Sequence, residues 1–187
     1  MRRIIVQMSV SLDGYIEGPD GRLDWHLVDD ELHYHFNRHL GAMSAFLNGR
    51  VMHELMAAYW PTADQDPNVP GPVAQFARIW REMPKFVYSR TLRNADWNTT
   101  VVREVVPEEV LRLKALPGGD MALGGADIAA AFQRHGLVDE YRIYVQPVVL
   151  GGGKPLFRQG TARTGLRLVE SRTFGNGVQL LRYQVPE

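Results

Sequence analysis

Met121-Ala122-Leu123-Gly124-Gly125-Ala126-Asp127-Ile128-Ala129-Ala130-Ala131-Phe132 reads as a short buried strand, a glycine pair and a helix that begins at once. Such a turn is an anion site in outline. The first N–H groups of a helix lack intrahelical partners and sit at the positive end of its dipole, and glycines let a phosphate approach the main chain. A lone glycine pair is a weak signal, since tight turns use glycine for conformational reasons alone. The decisive question is whether other segments complete a nucleotide site around it.

The same strand–turn–helix unit recurs upstream. Ala45-Phe46-Leu47 reads as a strand, Asn48-Gly49-Arg50 as its turn, and Val51 to Tyr59 as a helix. Lys85 to Tyr88 is a strand ending in Ser89-Arg90-Thr91-Leu92, and a weaker strand near Thr100 to Arg103 leads to Pro107, well placed to start a helix over Glu108 to Ala115. At the start, the β-branched run Ile4 to Val10 reads as a central strand entering the loop Ser11-Leu12-Asp13-Gly14-Tyr15-Ile16. Leu32, Phe36, Leu40 and Met43 recur at helical spacing behind Asp29 or Asp30, either of which can cap that helix. Pro61, Pro67, Pro70 and Pro72 mark residues 61–72 as a loop, with a helix from Val73 to Arg81, and His135-Gly136 stops the helix that follows Gly125. Tyr141 to Val149 reads as a long strand interrupted by Pro147, followed by a turn over Leu150 to Phe157. Leu166 to Phe174 and Val178 to Val185, joined by Gly175-Asn176-Gly177, form a hairpin.

Strands alternating with helices predict an α/β fold: a mainly parallel central sheet with helices on both faces and a C-terminal antiparallel hairpin at one edge. Ligands of such sheets bind at the carboxyl ends of the strands. Four turns are expected on that rim: Ser11 to Gly14, Gly49-Arg50, Ser89-Arg90 and Gly124-Gly125. Two of them carry an arginine beside a small residue, suited to gripping phosphate with a fixed fork of donors.

Composition narrows the field. With 187 residues, 45% of them hydrophobic, the chain is long enough for a substantial core, and one domain over 1–187 is expected. Lys+Arg 21 against Asp+Glu 21 gives no net charge, so neither nucleic acid nor an acidic membrane surface is an expected partner. The absence of cysteine excludes disulfides, zinc–thiolate sites and a cysteine nucleophile. The apolar part of Met1 to Val10 is too short for a signal peptide and no run approaches a membrane span, so a soluble cytoplasmic protein is expected. The dinucleotide fingerprint G-x-G-x-x-G is missing, Gly151-Gly152-Gly153-Lys154 lacks the spacing and the Ser/Thr of a P-loop, and there is no nucleophile elbow. His33, His35 and His39 lie on the first helix without a metal-ligand pattern and are expected to be solvated or partner-facing; no metal is expected. Asp13, just after the central strand, is either an acid for proton transfer or an Asx-turn residue with Gly14. Asp139 and Glu140 read as a subunit contact or helix cap.

The order of these turns resembles the dihydrofolate-reductase-like fold, and most closely the reductase domain of the bacterial bifunctional riboflavin-biosynthesis deaminase-reductase family. The resemblance spans nearly the whole chain. It rests on Ser11-Leu12-Asp13-Gly14-Tyr15-Ile16, Asp24-Trp25, Gly49-Arg50-Val51-Met52-His53-Glu54, Ser89-Arg90-Thr91-Leu92, Gly124-Gly125, and Gly136-Leu137-Val138-Asp139-Glu140 running to Pro147 and Leu150-Gly151-Gly152-Gly153. It implies that Gly49, Arg50, Ser89, Arg90, Gly124 and Gly125 bind NADPH, with Arg50 or Arg90 selecting its 2′-phosphate, and that the protein is a homodimer. The apolar run from Tyr141 to Leu150 and the unprotected edge of the C-terminal hairpin also suggest a partner surface. The family usually has threonine where this chain has Met52, and the zinc deaminase half, with its H-x-E and P-C-x-x-C ligands, is absent. Dihydrofolate reductases place a carboxylate on the first helix; here Asp30 is nearest by counting from Trp25, with an N-cap role for Asp29 or Asp30 as the alternative. The implied activity is NADPH-dependent reduction of a small pterin-like or pyrimidine-like heterocycle, like that of 5-amino-6-(5-phosphoribosylamino)uracil reductase. Dihydrofolate reductase activity and a non-catalytic NADPH-binding or regulatory protein are the alternatives.

Overall fold

The computed structural model describes residues 1–186. In chain order its elements are β1 Ile4–Ser11, β2 Tyr15–Glu17, α1 Asp30–Gly41, β3 Ala45–Gly49, α2 Arg50–Tyr59, a 3-10 turn Trp60–Thr62, α3 Gly71–Glu82, β4 Lys85–Tyr88, β5 Thr99–Val102, α4 Pro107–Ala115, β6 Met121–Gly124, α5 Ala126–Arg134, β7 Glu140–Gln146, β8 Lys154–Pro155, β9 Arg167–Thr173 and β10 Gln179–Gln184. Eight strands form one sheet in the order β5-β4-β3-β6-β1-β7-β10-β9. The six from β5 to β7 are parallel, and β10 runs antiparallel to both β7 and β9. The mainly parallel sheet with its terminal antiparallel hairpin is therefore the fold.

Alternation along each strand sends successive side chains to opposite faces. Ile4 and Val6 of β1, Leu47 of β3, and Met121 and Leu123 of β6 pack with Val110 of α4 and with Ile128 and Phe132 of α5. On the other face Phe46 and Ala122 meet Phe76 and Trp80 of α3, with Met56 of α2 beside them. Leu32 of α1 packs with Tyr144, Val178 and Leu180 over the hairpin end. Because both faces are covered, β6 reads as an unbroken buried run rather than an alternating one. Phe132 is fully buried, and removing its ring would cost about 3–5 kcal/mol in transfer and cavity terms.

Helix α5, which fixes the site, is bounded by glycine at both ends. Gly125, at its N-cap, has φ 109°. At the far end the Leu137 N–H donates to the Phe132 carbonyl (3.0 Å) and the Gly136 N–H to the Gln133 carbonyl (3.0 Å), with Gly136 at φ 64°. That pair of bonds satisfies carbonyls the helix cannot.

Several expectations change. Strand β7 stops at Gln146 rather than Val149, because Pro147 has no N–H to extend the ladder. The loop after β1 contains β2, which pairs with β8 in a separate two-stranded sheet. Residues 61–72 are not wholly loop, since α3 starts at Gly71 with Pro72 in its first turn. The apolar strand β7 is flanked by β1 and β10 inside the sheet, whose open edges are β5 and β9. Of the α1 histidines, His35 is buried and His33 and His39 are half-buried rather than solvated. His35 is 3% exposed, with its Nε2 3.0 Å from the Tyr144 hydroxyl, and His39 meets its ring edge-on and lies 3.3 Å from Arg142. His35 and His39 turn inward because β7 presents polar Arg142 and Tyr144 to α1, while His33 lies against Trp60 and Phe76.

Candidate functional site

Because β1, β3, β4 and β6 are parallel, their carboxyl ends share one rim, and the four glycine, serine and arginine turns lie there. Beside β6 the connections part: α5 covers one face of the sheet while α2 covers the other. A crevice opens where neighbouring connections diverge. It is a cleft of about 630 Å³, bounded by the turns at Gly49–Met52 and Tyr88–Thr91, the end of β5 at Arg103–Val105, and α5 from Gly125 to His135, about 13 Å along that helix.

Gly49, Arg50, Ser89, Arg90 and Gly125 line this cleft. Gly124 is buried beneath the turn, where an added Cβ would lie 3.1 Å from Asn48 Oδ1 and 3.2 Å from Met52 Cε. Met52 thus lies against the glycine pair. The Gly125 N–H points to Met8 Sδ (3.3 Å), while the N–H groups of Ala126, Asp127 and Ile128 donate to no described residue. Those are the unpaired donors of the helix start.

The lining carries five cations, Arg50, Arg90, Arg103, Arg134 and Lys154, against two acids, Glu104 and Asp127. Their states differ. Arg50 is paired with Glu54 at 2.8 Å, one turn along α2. Lys154 (3.0 Å) and Arg158 both pair with Asp127, which neutralises an acid that would otherwise oppose an anion at the start of α5. The side chains of Arg90 and Arg134 make no hydrogen bond or ion pair with a described residue. Ser89 is buried, and its Oγ accepts from the N–H groups of Thr91 (3.3 Å) and Leu92 (3.0 Å), so it shapes the loop that carries Arg90. Tyr88 forms one wall, edge-on to Phe132; burial first, then Glu109, pushes its hydroxyl up to about 12, so it stays protonated.

Neither expected acid lines the cleft. Asp13 accepts from the N–H groups of Leu150 (3.1 Å) and Gly151 (2.8 Å), while the Gly14 N–H goes to the Ser11 carbonyl (2.9 Å). The Ser11 hydroxyl and then those amides lower its carboxyl to about 2. Asp13 is an ionised clip between the β1 loop and the loop after β7. Asp30 is the exposed first residue of α1; the cap is Asp29, whose carboxylate accepts from the Leu32 N–H at 3.0 Å. Asp139 and Glu140 both hold partners inside the fold. Fully buried Glu140 is bonded by Arg3, Arg142 and Arg182, and Asp139 accepts from the Ile4 N–H and pairs with Lys114.

Three cationic residues of the cleft were not singled out from the sequence. Arg103 directly follows a parallel strand, the rule that picked out Arg50 and Arg90, so it was readable in principle. Arg134 lies at the far end of α5, and Lys154 arrives through the β2–β8 pairing; neither has a local signal. Among the described residues no group of three or more His, Asp or Glu could hold a metal ion, and no helix is long and apolar enough to cross a membrane.

The uncharacterized protein YyaP of Bacillus subtilis (strain 168) is 38% identical over 183 residues, 97% of this chain and 94% of its own. Among solved structures, a putative riboflavin biosynthesis protein from Shewanella sp. PV-4 superposes with a TM-score of 0.76 at 22% identity over 99% of both chains. A diaminohydroxyphosphoribosylaminopyrimidine deaminase/5-amino-6-(5-phosphoribosylamino)uracil reductase from Thermotoga maritima gives 0.65 at 14% identity, covering 99% of this chain and 57% of that one. These two likenesses concern the fold, which is dihydrofolate-reductase-like. The family model of the RibD C-terminal domain matches residues 2–180, strand β1 through the cleft and into β10, and with that span the chain belongs to the RibD C-terminal domain family.

Proposed function

We propose that the chain is an NADPH-dependent reductase of a small planar heterocycle, pterin-like or pyrimidine-like, with chemistry resembling the uracil reductase activity named for the Thermotoga relative. The cleft carries this reading: free helix-start amides and a surplus of cations at the carboxyl ends of parallel strands suit a ligand with several phosphates. The N–H groups of Ala126, Asp127 and Ile128 would hold a pyrophosphate, aided by Lys154, and the arginines beyond Ser89 would hold a 2′-phosphate. NADPH, when bound, supplies the hydride. The chain's own part is positioning: the glycine turn admits the phosphates, and Tyr88 offers a neutral wall. Asp13, ionised and committed to two amides, has no proton to give at neutral pH, so the proton comes from solvent or from the substrate's own ring.

Titration with NADPH and NADH, followed by hydride turnover with a panel of oxidised heterocycles that includes dihydrofolate, tests this reading. Failure of both nucleotides to bind at about millimolar concentration, far weaker than enzyme cofactors bind, overturns it. A second reading, a nicotinamide-nucleotide binder without turnover, is favoured by one observation: neither Asp13 nor Asp30 reaches the cleft. Binding without turnover across the panel selects it. The same proposal takes the protein as a cytoplasmic homodimer, with the exposed strand β9 as the edge a second copy would cover, and sedimentation equilibrium decides the oligomeric state.

A further inference from the structure

Resting on the nucleotide reading, we infer that Arg103 is the residue that distinguishes a 2′-phosphorylated adenosine from an unphosphorylated one. Arg103 follows β5 directly and lines the cleft. Its Nη1 donates to the carbonyls of Ser89 (3.2 Å), Arg90 (3.4 Å) and Leu92 (2.6 Å). Three carbonyls gathered on one nitrogen fix the guanidinium against the loop. Its Nη2 and Nε donate to no described residue. An arginine that lines a cleft with one nitrogen anchored and two left without a partner is a pre-ordered fork for a phosphate, because the rotamer entropy of holding it has already been lost in folding.

The other cations are less suited. Arg50 already shares its charge with Glu54, at 3.1 and 2.8 Å. Arg90 and Arg103 are both exposed, but Arg90 is unanchored, so it adds charge and must be ordered on binding. Lys154 is paired with Asp127 beside the start of α5. Position separates Arg103 from the helix-start amides too. Strand β5 stands three strands from β6, roughly 14 Å along the sheet at the usual strand spacing, so Arg103 meets a different part of a ligand than Gly125 does.

Isothermal titration with adenosine 2′,5′-bisphosphate, AMP, NADPH and NADH tests this on wild type, Arg103→Ala and Arg103→Lys, with circular dichroism to establish that each variant is folded. Arg103→Ala is expected to weaken the two 2′-phosphorylated ligands by roughly 10- to 100-fold, the range of a lost charge-assisted hydrogen bond, and to leave AMP and NADH within about threefold. Arg103→Lys, whose ammonium can still meet the three carbonyls but not present a fork, is expected to fall between. Equal weakening of all four ligands by Arg103→Ala would make it a loop brace only, and unchanged preference would give it no part in recognition; either overturns the inference alone. A wild-type protein that binds none of the four overturns the cofactor reading and this inference together.

Discussion

Gly125 and Gly153 both hold positive φ, at 109° and 125°, but for different reasons. At Gly125 an added Cβ has room, its nearest neighbour being Ile128 Cγ2 at 3.6 Å. The cost of Gly125→Ala is therefore conformational, about 1–2 kcal/mol in urea denaturation, and since the turn aims the free amides of α5, nucleotide affinity should fall with it. At Gly153 a Cβ would lie 2.0 Å from the Glu17 carbonyl oxygen, which is backbone and cannot swing aside. Gly153→Ala should cost more than about 3 kcal/mol by the same measurement, because β2 and β8 cannot stay paired around it. Asp13 gives a test of another kind. With its carboxyl at about 2, Asp13→Asn should leave the shape of the pH–rate profile unchanged above about pH 5, while loss in the variant of a fall in rate towards high pH would restore Asp13 as the proton source. The glycines were legible as residues because a turn requires them locally. The role of Asp13 was not, since its partners lie 137 and 138 positions along the chain.

Helix α1 shows what periodicity can and cannot reveal. Leu32, Phe36 and Leu40 marked the helix, and Asp29 or Asp30 its start. The same spacing says nothing of His35 and Asn37, which are also buried, because their partners are Tyr144 on β7 and Pro72 and Gln75 on α3. Strands β2 and β8 were invisible for a related reason: three and two residues carry no pattern, and they exist only because they pair with each other. The buried histidine has a consequence for pH. Burial first, then His39, Arg172, Arg38 and Arg142, lowers His35 to about 4 from its ordinary 6.5; Glu31 and Tyr144 are its other polar neighbours. The folded state thus favours neutral His35, and below pH 6.5 the unfolded chain binds the proton first. The stabilisation is complete above that pH and is lost between about 6.5 and 4, on the order of 3 kcal/mol from this group at about 1.4 kcal/mol per pH unit. His39, lowered by burial and then by Arg142, acts with the same sign. Urea denaturation across that pH range should show the loss, and His35→Gln should flatten it; a slope unchanged in the variant would assign the acid sensitivity elsewhere.

Across the whole molecule the two rims of the sheet divide the work. The carboxyl rim holds free amides, unpaired arginines and the cleft. The opposite rim, where β1, β6 and β7 begin, holds a network of paired ions: Arg3 pairs with Asp120 and Glu140, and Glu140 also takes Arg142 and Arg182. Burial alone would push the Glu140 carboxyl up, but hydrogen bonds from Arg182 and Arg142 outweigh it and hold it below the usual range. A neutral amide there would leave buried Arg142 without a counter-charge and remove one partner each from Arg3, which keeps Asp120, and Arg182, which keeps Glu170 at 3.5 Å. Glu140→Gln should therefore lower stability by about 3–5 kcal/mol, the cost of breaking a buried charge pair from one side. Nucleotide binding provides the contrast. A ligand that binds only the folded chain at about 100 times its Kd adds about 2.7 kcal/mol. For a chain of this size that raises Tm by roughly 5–10 °C. Calorimetry with and without NADPH then separates the rims: Glu140→Gln should start from a lower Tm and keep the ligand-induced rise, whereas Arg90→Ala should keep the starting Tm and lose part of the rise. If Glu140→Gln also abolished the rise, the network at the base of the sheet would be setting the geometry of the cleft, and the division between the rims would not hold.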